Sequence, residues 1–382
     1  MTAGSETRRL FESEKEFPEE EELRKKLLLS SSEIFSSPSD PDIETLVRRI
    51  KDNEIVLRPK FQRTAVWNTK LKSRLVESLL LNLPVPPVFL AEDEDSTKVV
   101  VDGQQRLRAV DDFYRERFSL DSLELLKDLN GKSFTHLESK LQRRFLNRVI
   151  RVLTIPYRES FDVRYLIFER LNTNTVPLND QEIRNATLFG GFNELLDKLV
   201  NQKNFLEMLH LKKPDDRLRH HELVLRFFAA KYEFSEYSTP LKLFLSDYMR
   251  DNRKLSVESA ESLEKTFSRA CENVNAVFGK NSMRRYNPLT QDYQGQLSRA
   301  VFELQLVSLS TFDTNKVKEK ARAIEGAFKE LCSDKVFSEL LTRGTDHRKR
   351  FYRRFWLWLT RLDQLGLKSE LLDKLPNAQE FT

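Results

Sequence analysis

Residues 99–107 read Val-Val-Val-Asp-Gly-Gln-Gln-Arg-Leu, and this stretch decides the fold. Three β-branched apolar residues in a row are typical of a buried strand. Gly103 follows the acid that ends the strand, and a glycine permits a sharp turn and the close approach of another group. Beyond it, Leu107, Val110 and Phe113 recur at helical spacing. The stretch therefore predicts a strand, a tight turn at Gly103 and an amphipathic helix.

The predicted turn also has the chemistry of an anion site. The first N–H groups of a helix have no partner inside the helix and attract negative charge. Arg106 lies in that first turn, and its guanidinium can donate a pair of charge-assisted hydrogen bonds. Residues 102–106 therefore predict a phosphate-binding segment that is not a Walker A loop. The sequence Gly131-Lys132-Ser133 lacks the glycine that such a loop needs five residues earlier, where Leu126 stands, and it predicts a plain loop.

The length and composition of the chain fit a globular protein. Its 382 residues suffice for two domains, or for one domain with a large helical extension. No apolar run approaches the roughly 18–20 residues that cross a bilayer, and the glutamate-rich start does not resemble a signal peptide. Cys271 and Cys332 lie far apart, so they indicate buried thiols rather than a disulfide framework or a zinc site. We therefore expect a cytoplasmic protein without membrane contact.

The net charge of +5 is unevenly distributed along the chain. Residues 1–40 contain six Lys and Arg against ten Asp and Glu, so the remainder carries +9. The acidic, serine-rich start is expected to be mobile. The moderately basic body favours partners that carry phosphate groups.

Periodicity divides the rest of the chain into an α+β part and a helical part. Helices are predicted from Asp42, over residues 71–81, after Gly103, over residues 161–171 and from Asn179, where Glu182 completes a capping box. Strands are predicted over residues 54–57, 88–90, 99–102 and 149–155. The predicted fold class is α+β, a small mixed sheet with helices followed by a mainly α-helical C-terminal region. The predicted boundaries are a mobile segment at 1–40, a domain at 41–250 and a helical region at 251–382.

Five ordered blocks of sequence, taken together, are more specific than any single motif. They resemble the ParB/sulfiredoxin-like domain at the N-terminus of GmrSD-type, modification-dependent restriction enzymes, over roughly residues 45–250. The blocks are Phe61-Gln62-Arg63 with Val66-Trp67, Pro84 to Leu90, Val101 to Leu107, Phe168 to Thr173, and Leu178 to Asn185. The resemblance implies a ParB/sulfiredoxin-like mixed sheet. Asn174 and Thr175 stand where many members have glycines, so the local turn is expected to differ.

The resemblance implies that the Asp-Gly-Gln-Gln-Arg segment handles a nucleotide. On that basis the candidate catalytic residues are Asp102, Gln105 and Arg106, with Asp102 also the candidate ligand of Mg²⁺. The candidate nucleotide-binding residues are Gln62, Arg63, Gly103, Gln104, Arg170, Asn172 and Asn185. These residue types suit the roles, because a carboxylate can hold a metal ion, amides can donate to phosphate oxygens and an arginine can neutralise developing charge. Whether the nucleoside triphosphate (NTP) is ATP, GTP or CTP is left open.

Most of these residues have a structural alternative. Asp102 could be the N-cap of the helix that follows it. Arg63 and Arg106 could form surface ion pairs of little energetic value. Glu182 is interpreted as the acid of a capping box rather than as a catalyst. The acid and base at residues 169–170 lie beside apolar neighbours, so a structural ion pair is an equal alternative there.

The basic and aromatic run at residues 347–359 is the candidate nucleic-acid contact. Arg350, Arg353 and Arg354 could bind phosphates while exposed aromatic rings stack on bases. Against this, four apolar residues recur at helical spacing and predict a core helix whose arginines reach the surface: Phe351, Phe355, Trp358 and Leu362. The two interpretations are compatible with each other.

Two short sequences resemble functional motifs but lack their partners. Asp346-His347 begins like an HNH nuclease motif, yet no later histidine follows, so a self-contained HNH nuclease is not expected. His220-His221 has no accompanying metal ligands and predicts an ordinary helix.

The leading hypothesis is a defence or restriction-type protein whose α+β domain binds and hydrolyses an NTP with Mg²⁺. The nucleotide state would control recognition of foreign or modified DNA, or of a separate partner protein that carries the nuclease. The alternatives are a metal-dependent nuclease that nicks DNA with the same site, and a non-catalytic scaffold for DNA or a partner. An oligomer is compatible with each of them.

Overall fold

The computed structural model describes residues 37–57, 67–93, 96–156, 179–215 and 217–376. The chain divides into two compact units, with the boundary between Thr187 and Leu188. Three predicted segments lie outside the described residues: the acidic start at 1–36, the block at 61–66 and the helix at 161–171.

The first unit is built on a mixed five-stranded sheet. Its strands are β1 (Ser37–Ser39), β2 (Ile55–Val56), β3 (Val88–Glu92), β4 (Lys98–Asp102) and β5 (Val152–Ile155), in the spatial order β1-β5-β3-β4-β2. β3 pairs antiparallel with β4 and parallel with β5, while β2 is parallel to β4 and β1 antiparallel to β5. The four predicted strands are confirmed, and so is the α+β class.

Helices bury their apolar faces against this sheet. The first unit contains α1 (Ile43–Lys51), α2 (Thr69–Leu81), α3 (Gln104–Tyr114), α4 (Ser139–Leu146) and α5 (Asp180–Thr187). The side chain of Asp42 caps α1 by accepting a hydrogen bond from the N–H of Thr45 at 2.8 Å. The shared core includes Leu46, Leu79, Val88, Val100, Leu107 and Phe113. Because burying one such side chain contributes about 1.5–3 kcal/mol, the core holds β4 and α3 firmly on both sides of Gly103.

The N-terminal edge of the sheet differs from the prediction. The expectation that residues 1–40 are mobile is wrong at its end, because Ser37–Ser39 pair with Val152–Thr154 as the edge strand β1. Ser and Pro have low strand propensity, so their pairing depends on the neighbouring strand rather than on their own sequence. The loop predicted at Gly131 is confirmed, and its φ of 82° lies in the left-handed region.

The second unit is almost entirely helical. Its helices are α6 (Gly191–Val200), α7 (Lys203–Met208), α8 (Arg219–Tyr232), α9 (Leu241–Asp251), α10 (Val257–Phe278), α11 (Arg299–Leu309), α12 (Thr314–Glu319), α13 (Ala321–Ser333), α14 (Lys335–Leu340), α15 (Arg348–Gln364) and α16 (Glu370–Asp373). The hairpin of β6 (Arg284–Asn287) and β7 (Asp292–Leu297) interrupts them and is not predicted by periodicity. Across the described parts of both units, no helix has the length and apolarity to cross a membrane.

A buried ion cluster joins three helices of the second unit. Glu303 on α11 accepts hydrogen bonds from Arg226 on α8 at 3.1 Å and from Arg354 on α15 at 2.6 Å. Arg226 also donates to Glu222 and to Asp346, each at 3.1 Å. Although burial alone would raise it, Arg226 lowers the pKa of Asp346 to about 2. Asp346 is therefore ionised at neutral pH, and the buried groups of the cluster depend on one another for compensation of charge.

The two cysteines are buried free thiols, as expected. Burial raises the pKa of both thiols, that of Cys332 to about 12. Because the thiolate is the nucleophile and the metal ligand, neither cysteine is reactive at neutral pH.

Candidate functional site

The turn between β4 and α3 has the geometry that the sequence predicts. Gly103 is buried and adopts φ 91° and ψ 10°, a left-handed conformation that L side chains rarely adopt. A Cβ added there would lie 2.8 Å from the Cγ2 of Val88 and 3.0 Å from an Nη atom of Arg106. Glycine is therefore required both by the backbone angle and by the closeness of β3 and the guanidinium.

Asp102 and Arg106 form an ion pair across this turn. Nη2 of Arg106 donates to Oδ2 of Asp102 at 2.7 Å and also to the backbone carbonyl of Pro87 at 3.1 Å. The Arg106 side chain is 15% exposed and the Asp102 side chain is 42% exposed. Arg106 therefore forms the ion pair that the structural alternative predicted. Its guanidinium, however, is mostly buried rather than at the surface. The carbonyl of Pro87 is a partner that the sequence reasoning missed.

The alternative that Asp102 caps α3 is wrong. The N-cap position belongs to Gly103, and no side chain caps this helix. Leu107 makes the first backbone hydrogen bond of the helix, from its N–H to the carbonyl of Gly103 at 2.9 Å. Asp102 therefore presents its carboxylate to Arg106 rather than to the helix end.

The two glutamines lie in the first turn of α3 and are half-buried. Oε1 of Gln105 accepts a weak hydrogen bond, 3.4 Å long, from the N–H of Trp67. This contact brings the end of the block at residues 61–67 to the turn. Gln104 is the first residue of α3, directly after Gly103.

Asn185 lies on α5, which packs against β4. The start of that helix is a reciprocal capping box, in which Asn179 N–H donates to Glu182 at 2.7 Å and Glu182 N–H donates to Asn179 at 2.9 Å. The interpretation of Glu182 as a capping residue is confirmed. Asn185 itself is buried, with 3% of its surface exposed. The structure thus brings the last sequence block to the strand that ends at Asp102.

Four predicted binding residues cannot be assigned a place in this site. Gln62, Arg63, Arg170 and Asn172 lie outside the described residues. Of the predicted set, the structure brings together Asp102, Gly103, Gln104, Gln105 and Arg106, with Asn185 on an adjoining helix.

The match to a known family ends close to the boundary between the two units. Residues 43–189 match the family described as GmrSD restriction endonuclease, N-terminal domain. They form a GmrSD-type N-terminal domain. None of the curated proteins and none of the solved structures matches the chain. The candidate site lies inside the GmrSD-type domain, and the helical second unit lies almost wholly outside the matched residues.

The residues predicted to contact nucleic acid lie on α15 of the second unit, and their environments in the structure differ. Phe351, Phe355, Trp358 and Leu362 are fully buried, which confirms the core helix. The prediction that Arg354 contacts nucleic acid is wrong, because its side chain is 0% exposed and paired with Glu303. The guanidinium of Arg350 donates to the backbone carbonyl of Glu339 at 2.6 Å. Arg353 remains half-exposed.

The adjacent histidines lie on α8, which confirms the predicted helix, and both are buried in the core. Nδ1 of His220 accepts a hydrogen bond from the N–H of Asp215 at 2.8 Å, and Nε2 of His221 lies 2.8 Å from a carboxylate oxygen of Asp197. Burial lowers the pKa of His220 to about 4, although the charge of Asp215 opposes the shift. His220 is therefore neutral in the folded protein at neutral pH.

The pKa of His220 predicts that the second unit loses stability in mild acid. Below pH 6.5 the unfolded chain binds a proton at this histidine, whereas the folded chain does not until about pH 4. The free energy of unfolding should therefore fall between these values, by at most about 1.4 kcal/mol per pH unit. Urea denaturation at a series of pH values measures this slope. In His220→Gln, which cannot titrate, the slope should be smaller over the same window, and an unchanged slope would contradict the assignment.

Proposed function

We propose that the GmrSD-type domain binds the phosphates of an NTP at residues 102–106 and hydrolyses the nucleotide. Its nucleotide state then controls recognition of foreign or modified DNA in a restriction or defence system. One observation carries the proposal: the left-handed turn at Gly103 joins the first turn of α3 to a mostly buried guanidinium. Both are features that bind phosphate.

The arginine is well suited to a phosphate. Its position is set by Asp102 and by the carbonyl of Pro87, so little side-chain entropy is lost when a ligand binds. Its Nε atom is buried and makes no hydrogen bond to any described residue. That atom has no surface open to a ligand because it packs against Gly103, so a phosphate would bind the part of the guanidinium that remains exposed.

The carboxylate of Asp102 suits a magnesium ion that arrives with a nucleotide. Arg106 occupies Oδ2, and Oδ1 makes no hydrogen bond within the described part of the chain. Among the described residues no three His, Cys, Asp or Glu side chains are grouped so that they could hold a metal ion by themselves. Mg²⁺ is commonly held by one or two carboxylates together with phosphates and water, so a single aspartate fits. When bound, the ion would neutralise charge on the phosphates.

The role in DNA recognition is supported by the family and by the charge of the chain. The matched family is described as a restriction endonuclease domain, and restriction requires contact with DNA. The net charge of +5 is compatible with such a partner. The nuclease of such a system would then be carried by a separate partner protein.

Calorimetric titration tests the binding step. The chain is titrated with ATP, GTP, CTP and UTP in the presence of Mg²⁺, which also identifies the base. We expect one of the four to bind with a Kd in the micromolar range, the usual range for enzyme substrates, about 1 μM–1 mM. Failure of all four to bind would overturn the proposal.

Asp102→Ala separates hydrolysis from binding. Release of phosphate should fall at least about 100-fold when the carboxylate that would hold Mg²⁺ is lost, while NTP affinity should change less because Arg106 keeps its hydrogen bond to the carbonyl of Pro87. The same two proteins are incubated with supercoiled plasmid and Mg²⁺ or Mn²⁺. Nicking that depends on Asp102, without NTP turnover, would instead support the direct nuclease, which the family description favours as the second candidate.

A further inference from the structure

A short stretch of the first unit, residues 132–151, carries as much net positive charge as the whole chain. It contains six Lys and Arg but one acid, Glu138, which gives it the same net charge of +5. The helix α4 lies within this stretch and contains no acidic residue. A surface with such a concentration of positive charge favours a partner that carries many negative charges.

Three of these cations share the exposed side of α4. Lys140, Arg143 and Arg144 stand at positions i, i+3 and i+4 of the helix, so they lie on one side of it. All three residues are exposed, whereas Phe145 on the opposite side is completely buried in the core of the unit. The three basic residues together are called the α4 face here.

The charges of the α4 face are not neutralised within the described part of the chain. None of the three cations makes an ion pair or a hydrogen bond through its side chain with a described residue. The arginines that follow α4 do have partners, since Arg148 donates to the backbone carbonyl of Leu79 at 2.8 Å and Arg151 pairs with Asp40 at 3.4 Å. Three positive charges of the α4 face are therefore available to a ligand.

The arrangement of these charges is unfavourable for the helix by itself. Lys140 lies in the first turn of α4, where the partial positive charge of the helix end disfavours a cation. It also stands four residues before Arg144, and like charges at this spacing repel each other. A bound polyanion would offset both effects, and departures from local rules of folding are expected at functional positions.

The composition of the α4 face indicates which polyanion it fits. The face contains no aromatic ring, whereas proteins that bind unpaired bases supply rings on which the bases stack. A helix that lies in a lipid surface inserts its apolar side, but that side of α4 is occupied by the core of the unit. Protein interfaces have an apolar centre, which the face also lacks. Its point charges instead suit the phosphates of a duplex, which are bound without reading the bases.

We propose that the α4 face binds the phosphate backbone of duplex DNA. From Lys140 to Arg144 the helix rises about 6 Å, which corresponds to about two phosphates of one strand, since these follow each other every 3.4 Å or so along the duplex axis. The three side chains can therefore contact neighbouring phosphates together. This surface locates the contact that the proposed DNA recognition requires, so it rests on that part of the proposed function, but it needs no NTP.

Fluorescence anisotropy with a short labelled duplex of unmodified DNA tests the proposal on the full chain without NTP. Phosphate contacts are independent of sequence, so neither a modified base nor a nucleotide is required. We expect binding that weakens as salt is raised between about 50 and 200 mM. The triple variant Lys140→Gln, Arg143→Gln, Arg144→Gln should bind more weakly at low salt. Its slope of log affinity against log salt should be smaller by about 2.7, since each phosphate contact on a duplex contributes about 0.9.

A matched triple variant controls for net charge. Lys51→Gln, Lys70→Gln, Lys127→Gln removes three exposed lysines of the first unit that lie outside α4. Its affinity and salt slope should stay close to those of the wild type. All six substituted side chains are exposed, so unchanged melting temperatures verify folding.

The results distinguish failure of the α4 face from failure of the proposed DNA recognition. If the wild type binds the duplex but the two triple variants have the same affinity and salt slope, the α4 face is overturned while DNA recognition stands. If the wild type binds no duplex even at low salt, DNA recognition fails together with the α4 face. Tighter binding of a single-stranded oligothymidylate than of a duplex of equal length would overturn the duplex assignment.

Discussion

Glu303→Ala is expected to lower the free energy of unfolding of the second unit by about 3–5 kcal/mol, the cost of leaving a buried charge uncompensated. Glu303 is the carboxylate shared by Arg226 and Arg354. Without it, Arg226 keeps Glu222 and Asp346, but Arg354 keeps no ion pair with any described residue. The guanidinium of Arg354 would then be buried with only the carbonyl of Thr345 as its acceptor.

Urea denaturation of the full chain measures this loss, and Glu330→Ala is its control. Glu330 pairs with Arg361 at the surface, where an ion pair contributes at most about 1 kcal/mol. The double variant Glu303→Leu, Arg354→Met should be less destabilised than Glu303→Ala, because it removes the charge and its partner together. Equal effects of Glu303→Ala and Glu330→Ala would contradict the structure of the cluster.

Gly103→Ala is expected to destabilise the first unit by about 2–5 kcal/mol. The left-handed backbone costs an L residue about 1–2 kcal/mol, and the new Cβ meets the Cγ2 of Val88 at 2.8 Å. Val88 is fully buried in β3 and cannot move aside, so overpacking adds about 1–3 kcal/mol. The same Cβ presses on the guanidinium of Arg106, and NTP binding should weaken as well.

Gly131→Ala measures the backbone contribution without the packing contribution. Gly131 has a φ of 82°, but a Cβ there would meet no atom within 4 Å. Its substitution should therefore cost only the conformational part, about 1–2 kcal/mol. Denaturation curves of the two variants give the difference directly. If Gly131→Ala were as destabilising as Gly103→Ala, the close packing of Val88 and Arg106 on Gly103 would not exist in solution.

The local part of the candidate site follows from short-range sequence. A β-branched run, an aspartate and a glycine before an apolar period of 3.6 residues are enough to predict β4, the turn and α3. The capping box of Asn179 and Glu182 is likewise a pattern of four residues. These features depend on neighbours in the chain, and periodicity and capping rules describe such neighbours well.

Features made by distant residues could not be predicted in this way. Helical periodicity places Arg354 nearer than Arg353 to the buried face of α15, but a charged residue can be buried there only because Glu303, far away in sequence, compensates it. The hydrogen bond from Arg106 to the carbonyl of Pro87 joins residues 19 positions apart. The hairpin of β6 and β7 lacks an alternating apolar pattern, since its strands contain mostly polar residues, and the pairing of Ser37–Ser39 is determined by β5.

The central claim is that Arg106 binds the phosphates of an NTP, and a comparison of Arg106 in α3 with Arg115, the residue directly after that helix, tests it most directly. Arg106 and Arg115 each pair with an aspartate four residues earlier at 2.7 Å, but only Arg106 lies at the turn. NTP affinity is measured by calorimetry for Arg106→Ala and Arg115→Ala. We predict that Arg106→Ala weakens binding about 10- to 100-fold, the loss of a charge-assisted hydrogen bond, and that Arg115→Ala binds like the wild type. Equal affinities of the two variants would contradict the account.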